Sequence, residues 1–190
     1  NSDTEVPPGW LARLVACVDS EASIGLAGPL SNTATWQSVP EIQSGDDWAA
    51  NPLPDGWTVA DMDAAVEVHA ARSYPRLPIL NGFCLLLRRD VLDRIGPFDE
   101  ETFSAGYGEE NDYCLRAADA GFDLAVADDT FVYHAMGRSY TDERRKALTL
   151  AANDTLLSKH AADRVDAAVA ELSGSRTMAG VRAHAAVLAE

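Results

Sequence analysis

The sequence predicts an α/β domain. Short apolar strands alternate with amphipathic helices, and glycine and proline mark the joins. Apolar residues make up 47% of the 190 and charged residues 24%, enough for one buried core and too apolar for general disorder. No run approaches the roughly 18 apolar residues of a membrane-crossing helix.

Pro7-Pro8-Gly9 introduces a helix over 9–20, where Trp10, Leu11, Leu14, Val15 and Val18 recur at helical spacing. A short strand at 24–27 is ended by Gly28-Pro29. Residues 31–57 read as a long irregular loop, with Trp36, Trp48, Trp57 and the acidic pair Asp46-Asp47. A helix over 59–72 places Met62, Ala65, Val66 and His69 on one side, and Pro75 and Pro78 close it. The most apolar run, 79–87, predicts a buried central strand. Residues 89–95 form a short helix stopped by Gly96-Pro97. A loop from Phe98 passes through Gly106-Tyr107-Gly108 to a helix over 109–120, stopped by Gly121. Two short strands, 122–127 and 130–133, end at His134. From Thr141 the chain is an Ala-rich helical tail (142–160, 163–172 and 179–188) broken at Gly174-Ser175. Two uses are open to that tail: packing on the domain, or self-association with another chain. The βα units are too few for a complete doubly wound sheet, and the first residue is not Met, so a portion of a larger fold is expected.

Acidic residues outnumber basic ones 30 to 15, a net charge of -15, which argues against nucleic acid and anionic lipid as partners. No Walker-type loop is present, so a pyrophosphate would need local cations or a metal ion. Cys17, Cys84 and Cys114 lack metal or disulfide spacing and read as reduced core thiols of a reducing, cytoplasmic setting.

Glu109, Glu110 and Asp112 open a helix after a glycine loop. Acids there favour the helix dipole, but they can also present a base to a pocket. His134 ends a strand, where an imidazole is either structural or a metal ligand. Asp3 alone is a turn or cap residue. Trp36 is open to two readings, core packing or stacking on an acceptor sugar.

In order, these segments resemble family 2 glycosyltransferases. Asn1-Ser2-Asp3-Thr4 looks like the family's DxD-type element with Asn at the first position, and Pro8-Gly9-Trp10-Leu11 follows it as in many members. Gly28-Pro29-Leu30-Ser31-Asn32 is similar to the segment after the next strand. Asn81-Gly82-Phe83 through Arg88-Arg89, then Gly96-Pro97-Phe98-Asp99-Glu100, matches G-F-x-x-x-x-R-R followed by G-x-F-D-E. Gly108-Glu109-Glu110-Asn111-Asp112 resembles the ED-containing helix start, and Val132-Tyr133-His134 the late histidine.

The resemblance implies a partial GT-A (nucleotide-diphospho-sugar transferase-like) mixed sheet over 1–140, the acceptor-side portion, with a helical extension over 141–190. It implies inverting transfer of a sugar from a nucleotide-diphospho-sugar to an acceptor hydroxyl of a glycan-type substrate, as in cell-surface polysaccharide synthesis. Asp3 and His134 would meet a divalent cation, Mn²⁺ or Mg²⁺. Glu110 would be the base with Glu109 beside it, and Ser2, Trp36, Asn81, Gly82, Tyr107 and Asp112 would line the donor and acceptor sites, Asp112 also capping its helix. Glu110 stands where the family usually has Asp, so either acid of the pair could act. The family's nucleoside pocket precedes the DxD element, so these 190 residues are expected to be inactive alone. Two other readings are a carbohydrate-binding or scaffolding module that keeps the fold, and a metal hydrolase using Asp3, Glu110 and His134. The second lacks another histidine at ligand spacing, since His69, His160 and His184 all fall in helical segments.

Overall fold

The computed structural model describes residues 1–45, 47–103, 107–135 and 142–188, with the backbone alone at 142–146. Asp46, Gly106, Ser139 and Thr141 lie outside these described residues. In chain order the elements are β1 (Thr4–Glu5), α1 (Trp10–Ser20), β2 (Ile24–Leu30), β3 (Gln43–Ser44), β4 (Asp47–Trp48), α2 (Val59–His69), β5 (Leu86–Leu87), α3 (Arg89–Ile95), α4 (Glu109–Asp119), β6 (Asp123–Phe131), β7 (Tyr133–His134), α5 (Asp142–Lys159), α6 (Ala162–Gly174) and α7 (Arg176–Leu188).

A mixed sheet of order β5-β2-β6 organises the core, with β2 antiparallel to β5 and parallel to β6. Alternation along β6 splits the core into two layers. Leu124 and Val126 join Leu26, Leu30, Met62, Val66 and Tyr113. Ala125 and Ala127 join Ile24, Ala27, Leu14 and Cys17 on the other face. The small alanines there leave room for α1 close to the sheet. The opposite face carries α2 and α4, and the tail completes it, since Leu172, Met178 and Ala185 are buried in the same cluster as Leu26. The tail therefore packs on its own domain, and Arg182 of α7 donates to the Trp36 carbonyl at 3.0 Å.

Three segments differ from the sequence reading. β2 does not stop at Gly28-Pro29 but runs on to Leu30. Pro29 sits beside a register shift against β6, where its missing N–H costs least. The two strands expected around Asp128-Asp129 are one continuous β6. Its acids are buried with partners: Asp128 accepts from the Ser73 and Tyr74 backbone N–H groups at 3.1 and 3.2 Å, and Asp129 pairs with Arg72 at 3.0 Å. The run 79–87 is not a central strand. Only Leu86–Leu87 pairs, at the sheet edge, because Asn81-Gly82 makes a turn in which the Asn81 carboxamide oxygen accepts the Phe83 N–H at 3.0 Å.

Much of the 31–57 segment is packed rather than loose, for Ser31, Asn32, Thr33, Gln37 and Ser38 are all buried. Cys17 and Cys114 are free, buried thiols, pushed up to about 12 chiefly by loss of solvent. Among the described residues no helix is long and apolar enough to cross a membrane.

Candidate active site

The two ends of the sequence motif set meet through a two-stranded ribbon. β1 pairs antiparallel with β7, so Thr4 lies opposite His134, and the Ala135 N–H donates to the Asp3 carbonyl at 2.9 Å. Asn32 fixes His134 from behind: its carboxamide accepts the His134 N–H at 2.7 Å and donates to the His134 carbonyl at 3.1 Å. The imidazole Nδ1 is 3.0 Å from the Thr33 carbonyl. A carbonyl oxygen only accepts, so Nδ1 carries the proton and Nε2 is left to face Asp3 Oδ1 at 3.5 Å. A carboxylate oxygen and an imidazole lone pair set face to face call for a proton or a cation between them. The same ring stacks on Phe83, with centroids 5.1 Å apart.

Phe83 belongs to the Asn81-Gly82 turn, which is held from three sides. Buried Gln37 accepts the Asn81 N–H at 2.6 Å and donates to the Pro29 carbonyl at 2.7 Å. The Asn1 backbone nitrogen donates to the Phe83 carbonyl at 2.7 Å. On its far side Gly82 abuts Glu110: a methyl group built on Gly82 would sit 3.2 Å from the Glu110 Cβ. Gly28 is needed for the same reason, because a methyl there would come within 2.6 Å of Gln37 Nε2.

Glu110 stands in the first turn of α4, which Gly108 opens at a left-handed φ of 89° after Tyr107 at 66°. The Gly108 N–H donates to Glu110 Oε2 at 3.2 Å. Loss of solvent pushes the Glu110 carboxyl up, and the neighbouring Glu109 charge adds to that. Glu109 Oε2 is buried with no hydrogen-bond partner among the described residues. Both acids line an open cavity of about 1060 Å³ together with Asn1, Gly82 and Phe83. Its other walls are mostly apolar, from Trp10, Leu14, Leu86, Phe98 and Phe103, with Thr4 and a third acid, Glu100, among them. The structure thus joins Asp3 to His134, His134 to Phe83, and Gly82 to Glu110; Phe83, Gly82 and Glu110 line the cavity, while Asp3 and His134 lie outside its lining.

The remaining candidates sit elsewhere or act differently. Asp112 does not cap α4, which has no side-chain cap, and it is absent from the cavity wall. It is fully buried and bonded to Arg116 at 2.8 Å, Lys159 at 2.9 Å and His160 at 2.8 Å. Burial alone would raise its carboxyl, but these three partners outweigh it and hold the group below the usual carboxylate range. Trp36 is partly buried against the core and meets Trp48 edge-on at 5.8 Å, away from the cavity lining. Asn81 shapes the turn with its side chain, Ser2 is exposed, and Tyr107 is half-buried at the entry to α4.

A profile of glycosyltransferase-like family 2 matches residues 2–155, most of the chain. The chain belongs to that family. The mixed sheet with flanking helices is the GT-A-like arrangement expected of it. Among curated proteins, an uncharacterised protein of Mycobacterium bovis and two of Mycobacterium tuberculosis are 28% identical over 138 residues. The match covers 70% of this chain and 44% of each relative, so the chain spans less than half the length of the curated relatives it matches. Family membership makes glycosyl transfer the chemistry against which the site is read.

Gln37 was not singled out from the sequence, and Asn32 and Asn1 were quoted as motif members without the roles the structure gives them. Gln37 and Asn32 orient the Asn81 turn and His134, and Asn1 ties the opening segment to Phe83. The only sequence signal for the first two is polar side chains inside a segment with apolar neighbours, and that is visible only once the segment is known to be buried.

Proposed function

We propose that the chain carries the acceptor-side portion, over 1–140, of an inverting glycosyltransferase that moves a sugar from a nucleotide-diphospho-sugar to an acceptor hydroxyl. The observation that carries this reading is the contact path from Asp3 through His134, Phe83 and Gly82 to Glu110, ending in a carboxyl of raised proton affinity at a cavity. The chain spans 44% of its relatives' length, and in this reading the nucleoside pocket is supplied by sequence outside these 190 residues.

In this reading the acceptor lies in the cavity with its hydroxyl at Glu110. A carboxyl made more basic by burial takes the proton as the oxygen attacks the anomeric carbon, and the nucleoside diphosphate leaves from the opposite face. Glu109, with a buried oxygen that has no partner among the described residues, orients the acceptor. Asp3 and His134 would supply one carboxylate oxygen and one imidazole nitrogen, a donor set that suits Mn²⁺ better than the oxygen-seeking Mg²⁺. No group of three His, Cys, Asp or Glu converges among the described residues, so the donor's phosphate oxygens and water would complete the shell. A divalent cation bound there would neutralise pyrophosphate charge in a chain of net charge -15.

The test is Glu110→Gln in the whole protein, assayed against a panel of UDP-, GDP- and dTDP-sugars. Transfer is lost while donor binding persists. Retained turnover in that variant would end the reading. Mn²⁺ binding, followed by paramagnetic resonance, should weaken in Asp3→Asn and His134→Ala alike.

A further inference from the structure

The junction between α5 and α6 reaches back to the acid-bearing helix. Lys159, the last residue of α5, donates to Asp112 at 2.9 Å and to Asp99 at 2.6 Å. His160, next in the chain and largely buried, places Nε2 2.8 Å from Asp112. Burial alone would lower the Lys159 ammonium, but Asp99 and Asp112 hold it raised, and hydrogen bonds from Lys159 and Thr102 hold Asp99 far below its ordinary range. Asp99 precedes Phe103, a cavity wall, and the Lys159 ammonium also lies 5.6 Å from the Phe103 ring centre. On the same side, Ala152 of α5 and the Phe103 ring both come within 3.2 Å of where a Gly108 side chain would begin. The tail therefore touches each part that presents Glu109 and Glu110: the loop before them, the cap glycine, and the first turn of their helix.

We propose that Lys159 and His160 are positioning residues for Glu110, acting through Asp112. Asp112 is fully buried one half-turn after Glu110, so its position along the helix axis sets where Glu110 points. Its carboxylate stays buried only with its full set of donors. Taking one away leaves part of a buried charge unsatisfied, and the first turn of α4 relaxes toward water or a new partner. The Glu110 carboxyl, two residues earlier on that turn, moves with it. This deepens the transferase reading and rests on it for its catalytic consequence, while the geometric claim stands apart.

The experiment separates the two. In the whole protein, carbodiimide labelling with a glycine ester, read by mass spectrometry, is compared between Glu110 and Asp63, a buried carboxylate on α2. In Lys159→Met and His160→Leu, labelling at Glu109 and Glu110 should rise about tenfold, the scale of one lost charge-assisted bond, with Asp63 unchanged. Lys159→Arg and His160→Gln should restore the wild-type pattern. With a nucleotide sugar that wild type turns over, kcat should fall in the first pair with KM for the donor held. Equal rises at Glu110 and Asp63, or no rise at Glu110, would overturn the positioning role. Wild-type protein that transfers from none of the sugars would sink the transferase reading, and the labelling ratio would still decide the clamp.

Discussion

Of the three carboxylates in the first turn of α4, two that stand two residues apart, Glu110 and Asp112, have opposite surroundings. On the cavity side, Glu110 is partly buried beside Glu109 and its proton affinity is raised. On the tail side, Asp112 is buried among Arg116, Lys159 and His160 and its proton affinity is lowered. Loss of solvent is the leading influence on both, and the more deeply buried of the two, Asp112, is the one whose proton affinity is lowered, so burial does not set the sign. What differs is the company: Glu110 has a like charge beside it and only backbone N–H donors, whereas Asp112 has three cationic or imidazole side chains around it. One turn of helix thus holds one group of raised proton affinity and one of lowered, and in the positioning proposed above the second fixes the place of the first.

The comparison breaks most visibly in activity. Glu110→Gln should lower kcat by about a thousandfold, the scale of a lost general base, in an assay of sugar transfer by the whole protein. Asp112→Asn should act through stability instead. Losing the charge takes from Arg116, Lys159 and His160, themselves partly exposed, their shared buried partner, at about 2 kcal/mol in a urea melt. If Asp112→Asn unfolded no more easily than wild type, the tail would not be anchored there.

How much of this was readable in advance follows from the range of each interaction. α3 and the start of α4 were legible because their stops and starts are local: Gly96 and Gly108 adopt positive φ, at 78° and 89°, where side chains are disfavoured. The contact of Asp3 with His134 was expected from the order of motifs, and β1–β7 pairing supplies its geometry. Asp112 was misread because its partner His160 lies 48 residues away, in a tail that carries none of the family's motifs. Asn32 meets His134 across 102 residues. No spacing rule reaches that far. The run 79–87 misled for a different reason: its apolar side chains are shared among separate clusters, so strong hydrophobicity did not imply a strand.

A smaller effect sharpens the cavity side. Gly82→Ala would place a methyl 3.2 Å from the Glu110 Cβ and push the acid by a few tenths of an ångström. Misplacement of a base on that scale should cost about tenfold in kcat, with a melting curve close to wild type. The control is Gly96→Ala, where no neighbouring atom lies within 4 Å but φ is 78°: it should cost stability and spare kcat.

The smallest effect tests the sign of the contrast. Asp112 has a depressed value in the folded state, so its contribution is full above the ordinary carboxylate pKa of about 4 and fades as pH drops through the folded value. Glu110 has a raised value, so the folded state binds its proton more tightly than the unfolded chain. Its ionisation is therefore free of penalty below about pH 4, and the penalty accumulates as pH rises through the folded value. Glutamine mimics the protonated acid. Glu110→Gln should thus match wild type in urea melts near pH 4 and exceed it by about 1 kcal/mol near pH 8. The same substitution that removes activity would stabilise the fold, as expected of a carboxyl held in place against its own solvation. A difference of equal size at both pH values would mean that Glu110 is not strained by burial, and the two faces of α4 would then differ in contacts alone.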